Sequence, residues 1–593
     1  MFKIPFLPNI GFLSPILAFD LFSCISSIDF LILILGFVFI LLVAAVASLY
    51  FGLLPFDRLL LKFAEDEQTT TQEAATANNK PQNSEQENAE KNNAQANNNN
   101  VHQASELNQS IASINPELQQ RLQQLLTDLQ LDDAPAGGAL VVYQAGQCIA
   151  QASVGMARAD LSWSADTLSL NFSTGKGILA TLVHVLVSQQ LLDYDRPIAD
   201  YWPAFAAQGK EQITLRRLMS HQGNLFSIQS IDVDNETVLD WHRMLEKVAA
   251  MPITAPEQSE LYDSAYSALV YGWVLGGVIE AVTDMSLAEA LRHYLTEPLG
   301  IADSCYFGVL ENKINEVAHL VKYFQTAEQV AEQEGDLGTN QESSQQGVQE
   351  QSQARPRRSK PILRADSANT LHTYTSLPSY VCWQKKALTN QTSANDSKDG
   401  STNGSTNEST KVDGLPSLDT AKINRLYFNN SQLNLKNYKS ALVLANKQPI
   451  DYYDKRTLQA IIPAANGVAS AQALATIYAM LANGGKWQGQ TFINEATFKQ
   501  LSTPQVTGMD AVMPAKMNWR LGYHRRFSIC DSETSNDRAQ GFGHMGYNGS
   551  VAWCDPARQL SFAFIHNFDV TMLNDIRQFA LTEALLGLID AEI

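Results

Sequence analysis

The chain has 593 residues, 45% of them hydrophobic, and a formal net charge of −19 at pH 7. This acidity argues against a nucleic-acid partner, because phosphates require a basic surface. The length admits more than one domain, but two long polar tracts reduce the part that can form a core.

The N-terminal part contains a candidate membrane anchor. Residues 30–52 read FLILILGFVFILLVAAVASLYFG, carry no charge, and are long enough to cross a hydrocarbon core about 30 Å thick. We therefore expect a transmembrane helix there, preceded by a short N-terminal segment, 1–29. Basic residues on its two sides are nearly balanced, with a slight lean toward a cytoplasmic catalytic part, so the positive-inside rule does not settle the orientation.

Two polar tracts divide the rest of the chain. Residues 65–112 are mostly Asn, Gln, Ala, Glu and Thr, a composition that predicts a disordered linker because it cannot bury enough apolar surface. Residues 326–414 have a similar bias and are predicted to be a low-complexity insertion in a surface loop. Its middle, LHTYTSLPSYVCW, contains aromatic residues and is the part able to pack locally. Segments 113–325 and 415–593 are predicted to form one catalytic domain.

Turn and capping residues indicate the first elements of that domain. Two strands joined at Ala145-Gly146 are predicted over 138–155. An apolar helix follows Ser173, and a further helix with a serine at its start and a glycine past its end is predicted at 286–300.

The C-terminal part repeats these signals. A helix with the same serine and glycine pattern is predicted at 470–485, two short strands flank a turn at Asp555-Pro556, and a final helix is predicted over 572–589. Strands near both ends of the domain, with helices between them, indicate an α/β fold whose terminal segments share one sheet.

The six cysteines give no clear signal. No CxxC spacing occurs, so we expect neither a zinc site nor a disulfide framework, and most of the thiols are predicted to be free and buried. The cysteines are Cys24, Cys148, Cys305, Cys382, Cys530 and Cys554.

The segment NFSTGKGILATLVHVLVSQQLL, residues 171–192, raises a chemical question. Ser173 and Lys176 are three residues apart and would share one face of a helix. A serine hydroxyl becomes a nucleophile when a base takes its proton, and a lysine can be that base where burial lowers its pKa. The alternative is that Ser173 only caps the helix and Lys176 lies on the surface.

Several segments, in order, resemble the serine β-lactamase and penicillin-binding protein superfamily, most of all the class C β-lactamase-like esterases of the family VIII carboxylesterase type. FSTGKGILATLVHVLV resembles the nucleophile segment, ITLRRLMSHQGNL the segment after it, YSALVYGWVLGGVIEAVT the second motif, and FGHMGYNGSVAWCDP the third. The resemblance implies a β-lactamase/transpeptidase-like α/β (α+β) fold. That fold has an antiparallel sheet built from both chain ends, flanking helices and a mostly helical subdomain.

The resemblance also implies catalytic roles. Ser173 would attack the carbonyl carbon and Lys176 would share its proton. Tyr266 would act as a phenolate or proton relay, with its pKa lowered by the Lys176 ammonium. Tyr262 remains a rival for the role of Tyr266.

The third motif would form the opposite wall of the site. His544 and Gly546 would line it, with Gly546 letting substrate approach closely, and the backbone N–H groups of Ser173 and Tyr547 would form the oxyanion hole. A second HxG, at 221–223, is expected to be structural. No metal or cofactor is expected.

Two departures from the lactamase pattern bear on substrate. Ala268 stands where lactamases carry an asparagine that binds the substrate amide, and His544 stands where many carry a lysine that pairs with a carboxylate. Both favour uncharged esters. The leading hypothesis is a membrane-anchored serine hydrolase, a carboxylesterase using an acyl-enzyme. The alternatives are a penicillin-binding-protein-like D-amino-acid peptidase or weak β-lactamase, and an inactive membrane-tethered binding module.

The resemblance further implies that the catalytic part lies outside the cytoplasm, in the periplasm. The expected partners are a small-molecule ester or peptide and the membrane, through residues 30–52. The sequence does not indicate an oligomeric state.

Overall fold

The computed structural model describes residues 115–130, 136–321, 368–396, 415–530 and 541–591. The predicted anchor at 30–52, the linker at 65–112 and most of the 326–414 insertion lie outside these described residues. Among the helices in the described ranges, none combines the length and apolarity needed to cross a bilayer.

A seven-stranded antiparallel sheet forms the centre of the fold. The strands of the structure are β1 (Gly137–Gln144), β2 (Gln147–Arg158), β3 (Leu161–Ser162), β4 (Ser169–Leu170), β5 (Cys305–Tyr306), β6 (Val468–Ala469), β7 (Lys486–Trp487), β8 (Gln490–Thr491), β9 (His524–Arg525), β10 (Phe542–Met545), β11 (Val551–Asp555) and β12 (Leu560–His566). The main sheet has the order β3-β2-β1-β12-β11-β10-β9, and β4-β6-β5 and β7-β8 form two small sheets. Since β1 pairs with β12, with Val141 opposite Ala563, the prediction of one sheet from both ends of the domain is confirmed.

Helices cover the sheet and connect its two halves. The described α-helices are α1 (Pro116–Asp128), α2 (Gly175–Ser188), α3 (Leu215–Met219), α4 (Asn235–Leu239), α5 (Trp241–Ala250), α6 (Val270–Thr283), α7 (Leu287–Leu291), α8 (Ala368–Ser376), α9 (Ser379–Asp396), α10 (Thr420–Tyr427), α11 (Leu435–Leu442), α12 (Lys455–Gln459), α13 (Ala471–Ala482), α14 (Glu495–Ser502) and α15 (Arg577–Ala591).

Both faces of the sheet are buried. Successive side chains of a strand point to opposite faces, and β1 follows this rule. Ala139 and Val141 enter an apolar layer with α2, α6 and α13. Leu140 and Val142 enter a second layer with α1 and α15. The helix α2 also contacts α6 and β10, so the segment that carries the candidate nucleophile lies inside the protein.

Local signals placed several elements correctly. The Ala145-Gly146 turn joins β1 to β2, with φ angles of 49° and 79°. Ser286 forms a capping box at the start of α7, and Ser470 caps α13 by accepting from the N–H of Ala473. The last helix begins at Arg577 instead of about residue 572, because Asp575 accepts a hydrogen bond from the Arg577 N–H.

The middle of the insertion packs against the domain. Tyr374 of α8 and Trp383 of α9 are buried in the second layer, and Trp383 Nε1 donates to the Tyr427 hydroxyl at 2.8 Å. The aromatic middle of the insertion therefore packs locally, as expected, and the boundaries of the insertion stay a prediction.

A disulfide fastens α9 to the segment after β9. Cys382 and Cys530 are bonded, with their Cα atoms 5.8 Å apart and a sequence separation of 148. The expectation of no disulfide is wrong for this pair, because a bridge over so many residues leaves no local spacing pattern. Cys148, Cys305 and Cys554 are free and buried, as expected.

Candidate active site

Ser173 lies in a tight turn immediately before α2. The turn is a single 3-10 segment, Phe172–Thr174, and Phe172 has a φ of 48°, a left-handed conformation that costs a bulky residue about 1–3 kcal/mol. The ring of Tyr452, 5.1 Å from that of Phe172, and the ring of Tyr547, at 5.9 Å, pack against it. Thr174 precedes α2 and makes no side-chain capping bond. Ser173 is therefore not the helix cap and is half-buried beside the cleft.

Lys176 is fully buried, with 0% of its surface exposed. Its Nζ lies 3.0 Å from Ser173 Oγ and donates to the carbonyl oxygens of Ala268 and Ala464, both at 2.6 Å. Burial holds the pKa of Lys176 well below its usual value. A neutral amine has two N–H groups and one lone pair. The two carbonyls match the N–H groups, so the lone pair can accept the Ser173 proton.

Tyr266 lies beside Ser173 and Lys176. Its ring centroid is 5.0 Å from Lys176 Nζ, and it lines the same cleft as Ser173. Burial raises the pKa of Tyr266, and the interaction of its hydroxyl with Ser173 offsets this only in part. The expectation that the Lys176 ammonium lowers the pKa of Tyr266 is wrong, because burial also favours the uncharged lysine. Tyr262 is partly buried and does not line the cleft.

Three residues hold Tyr266 in place, and two of them, Trp519 and Asp510, were indicated by no motif. Trp519 stacks on its ring at 5.3 Å, and the His221 ring meets it edge-on at 5.0 Å. The buried Asp510 accepts from the Tyr266 N–H at 3.2 Å and from Trp519 Nε1 at 2.9 Å. Asp510 is 244 residues from Tyr266, and only its place in the apolar stretch MDAVM hinted at burial. His221 also accepts from the Ser267 N–H at 3.2 Å, which agrees with a structural role.

The two histidines of the opposite wall are uncharged. His544 donates from Nδ1 to the Met545 carbonyl at 2.9 Å, and its buried Nε2 has no partner among the described residues. Burial holds its pKa well below the usual value. His524 donates from Nδ1 to the Arg525 carbonyl and accepts from the Met545 N–H at 2.9 Å. Burial lowers the pKa of His524 to about 3.

Gly546 has a different purpose from the one expected. A Cβ at this position would lie 2.5 Å from the Asn171 carbonyl oxygen, so glycine allows the nucleophile turn to approach the end of β10. Gly546 does not line the cleft, whereas Tyr547 does, and the Tyr547 carbonyl accepts from the Met572 N–H at 2.7 Å. The oxyanion hole formed by the N–H groups of Ser173 and Tyr547 stays a prediction.

These residues surround a cleft of about 390 Å³ that is partly open to solvent. Four methionines contribute to its wall, and none of its described lining residues is lysine, arginine, aspartate or glutamate. The lining residues are Ser173, Tyr266, Tyr438, Leu442, Met513, Met517, Trp519, His524, His544, Met545, Tyr547 and Met572. Sequence reasoning had found Ser173, Tyr266, His544 and Tyr547 among them.

Comparison with known proteins identifies the family. The family model described as Beta-lactamase matches residues 119–585. The chain belongs to the β-lactamase family. This confirms the predicted membership of the β-lactamase-related serine hydrolases.

Relatives within this family include proteins with different described activities. The chain is 29% identical to "Esterase/beta-lactamase LipL" of Mycobacterium tuberculosis over 439 residues, which are 73% of this chain and 77% of the relative. Two solved structures share the fold, each with a TM-score of 0.52. In each case the match covers 80% of this chain and 98% of the other chain. One is a penicillin-binding protein homologue from Caulobacter crescentus, 22% identical, and the other a family VIII carboxylesterase, 20% identical.

Proposed function

We propose that this β-lactamase-family chain is a serine esterase that hydrolyses uncharged carboxylic esters through an acyl-enzyme. The observation that carries the proposal is the 3.0 Å contact between Ser173 Oγ and the buried Lys176 Nζ, with Tyr266 lining the same cleft and its ring 5.0 Å from Lys176 Nζ. A lysine buried without a carboxylate partner is costly to keep charged. Its neutral form is the one that can remove a proton from Ser173.

The proposed reaction has two halves. Ser173 Oγ attacks the ester carbonyl carbon while its proton passes to Lys176 Nζ. The tetrahedral intermediate collapses when the C–O bond to the alcohol breaks, and the Tyr266 hydroxyl gives its proton to the leaving alkoxide and regains one from Lys176. Water then attacks the acyl-enzyme, losing its proton to the same groups, and releases the acid and free Ser173.

The oxyanion of both intermediates requires hydrogen-bond donors. We propose the backbone N–H groups of Ser173 and Tyr547 for this role, because both residues line the cleft. One such donor typically lowers the barrier by about 3 kcal/mol.

The wall of the cleft favours uncharged substrates. Among the residues that line the cleft, only the histidines His524 and His544 could become cations. Their pKa values are lowered, so both are neutral at pH 7. A carboxylate entering an apolar cleft without a cation loses its hydration and gains no ion pair. Esters are therefore preferred over β-lactams or D-amino-acid peptides, which carry a carboxylate.

A β-lactamase or peptidase activity is the second candidate, because the name of the Mycobacterium tuberculosis relative joins esterase and β-lactamase. The third hypothesis, an inactive binding module, leaves the burial of Lys176 beside Ser173 without a purpose.

We test these functions with the purified full-length protein. It is assayed with an aryl butyrate, a chromogenic cephalosporin and a D-Ala-D-Ala peptide. The proposal predicts turnover of the butyrate, with activity on the other two far lower, and loss of turnover in Ser173→Ala. Hydrolysis of the cephalosporin alone would replace the esterase by a β-lactamase, and no turnover of any substrate would favour the binding module.

We further propose that residues 30–52 anchor the protein in a membrane with its catalytic domain on the oxidising, extracytoplasmic side. The Cys382–Cys530 disulfide supports this orientation, because disulfides persist mainly outside the reducing cytoplasm. A reporter enzyme that works only outside the cytoplasm is fused after Ile593 and is expected to be active. Activity of a reporter that works only inside the cytoplasm, fused at the same place, would refute the orientation.

A further inference from the structure

A second cavity lies beside the active-site cleft. It holds about 230 Å³ of space, part of it open to solvent, and shares two lining residues with the cleft, His524 and Met545. Since both spaces touch these two side chains, they form the partition between the spaces. No other lining residue is common to both.

The walls beyond the partition are mostly apolar. Phe527, Val551 and Phe579 contribute hydrocarbon and aromatic surface, and Trp553 uses its only donor on Thr582 Oγ1, at 3.2 Å. Apolar walls of this kind favour a ligand that loses little hydration on entry, such as a hydrocarbon chain.

The polar groups of the cavity carry no unpaired charge. Arg526 is the one charged lining residue, and it donates to the buried Asp555 carboxylate at 2.6 Å, which pairs its charge. Gln578 adds an uncharged amide, whose buried Nε2 has no partner among the described residues. A carboxylate or ammonium ligand would therefore meet no unpaired opposite charge here.

The two residues of the partition differ in their freedom to move. Both ring nitrogens of His524 are engaged with backbone groups. The Met545 backbone is equally fixed, since its N–H donates to His524 and its carbonyl accepts from His544. The thioether side chain of Met545 has three rotatable bonds and no strong hydrogen bond to lose. Met545 is thus the movable part of the partition.

We propose that the second cavity is a subsite for the distal part of an unbranched acyl chain and that Met545 is the residue that limits chain length. This inference rests on the proposed esterase function. An acyl group held on Ser173 would extend along the methionine-lined cleft, and rotation of the Met545 side chain would open the cavity to its end. Short acyl groups fit the cleft alone, whereas longer ones require the subsite.

The test compares chain-length selectivity in two matched variants. The ratio of kcat/KM for an aryl octanoate to that for an aryl butyrate is measured in wild type, Met545→Ala and Met513→Ala. Met513 lines the cleft and not the second cavity, so it controls for the loss of the same atoms. Met545→Ala is expected to raise the ratio about tenfold, the gain from placing roughly two more methylene groups in an apolar site. Met513→Ala should raise the ratio less, because it widens the cleft and does not open the second cavity.

Filling the cavity should reverse the gain. Val551 lines only the second cavity, so Val551→Phe added to Met545→Ala is expected to return the ratio to the wild-type value, and Val551→Ile to return it in part. Thermal unfolding confirms that each variant is folded, and the isoleucine variant serves if the phenylalanine variant is not.

An equal ratio in Met545→Ala and Met513→Ala, or a raised ratio that neither Val551 variant reverses, would overturn the subsite. Either result, with Ser173-dependent butyrate turnover intact, leaves the esterase in place. Absence of butyrate turnover in wild type would instead overturn the proposed function.

Discussion

The two walls of the cleft are assembled in different ways. On one side, Ser173 and Lys176 lie one helical turn apart, and burial lowers the pKa of the lysine. The facing wall collects side chains from separate segments, including Tyr438 of α11, Met517, His524 of β9 and Met572. In the proposed esterase, the two residues that begin the reaction therefore belong to one short segment, whereas the substrate preference depends on how distant segments pack. The predictions below separate these two contributions.

The largest effect is expected at Lys176. Lys176→Met removes the base that takes the Ser173 proton, and kcat/KM for an aryl butyrate should fall about 10³- to 10⁴-fold. The measurement is steady-state kinetics on protein shown to be folded by circular dichroism.

Lys210 is the matched control for this variant. It is equally buried, its Nζ donates to two backbone carbonyls, and its pKa is lowered to about 8 by burial. Lys210 does not line the cleft, so Lys210→Met should hydrolyse the aryl butyrate as fast as wild type. An equal loss in both variants would mean that Lys176 acts through stability.

Tyr266 is expected to have the next largest effect. Tyr266→Phe keeps the ring between Lys176 and Trp519 but removes the hydroxyl that relays the proton, and we expect a loss of about 10²- to 10³-fold in kcat. Tyr262→Phe is the control and should be active. The reverse order of the two variants would transfer the relay role to Tyr262.

Loosening the facing wall should lower the stability of the protein more than its activity. Cys530 follows β9, which carries His524, so the disulfide to Cys382 fastens this wall to α9. Replacing both cysteines with serine should lower the free energy of unfolding by about 2–4 kcal/mol, while butyrate turnover persists. Cys148→Ala, at a free buried thiol, provides a reference for denaturant titrations. Loss of turnover in the folded double variant would contradict the division between the walls.

The smallest effect concerns pH. The folded protein holds the pKa of Lys176 well below its usual value, while the unfolded chain keeps it at about 10.4. Between these two values the unfolded chain binds a proton that the folded protein does not, so stability rises with pH there. The contribution is at most about 1.4 kcal/mol per pH unit. Urea titrations at pH 7, 8 and 9 should show a shallower rise for Lys176→Met than for wild type, and an equal slope would indicate a charged lysine.

The parts of the fold that the sequence predicted are those with local causes. The Ala145-Gly146 turn and the Ser470 cap each depend on a few neighbouring residues. The docking of Trp383 and the Cys382–Cys530 bond depend on residues far apart in the chain. The polar composition of the surrounding sequence gave no sign of either contact.

The site divides in the same way. Ser173 and Lys176 form a short motif that was recognised because the segments after it also resemble the family in the same order. Asp510 supports Tyr266 across 244 residues, and no spacing between them is characteristic. The raised pKa of Tyr266 was also missed, because motif spacing says where groups meet and not how completely the fold excludes water from them.

The central claim is that the hydroxyl of Ser173 is the nucleophile, and its covalent capture tests this most directly. The full-length protein is treated with a fluorophosphonate and the modified peptide is located by mass spectrometry. We predict a single adduct, on Ser173, which is absent from Ser173→Ala and forms far more slowly in Lys176→Met. An adduct on another residue, or undiminished labelling of Ser173→Ala, would contradict the account.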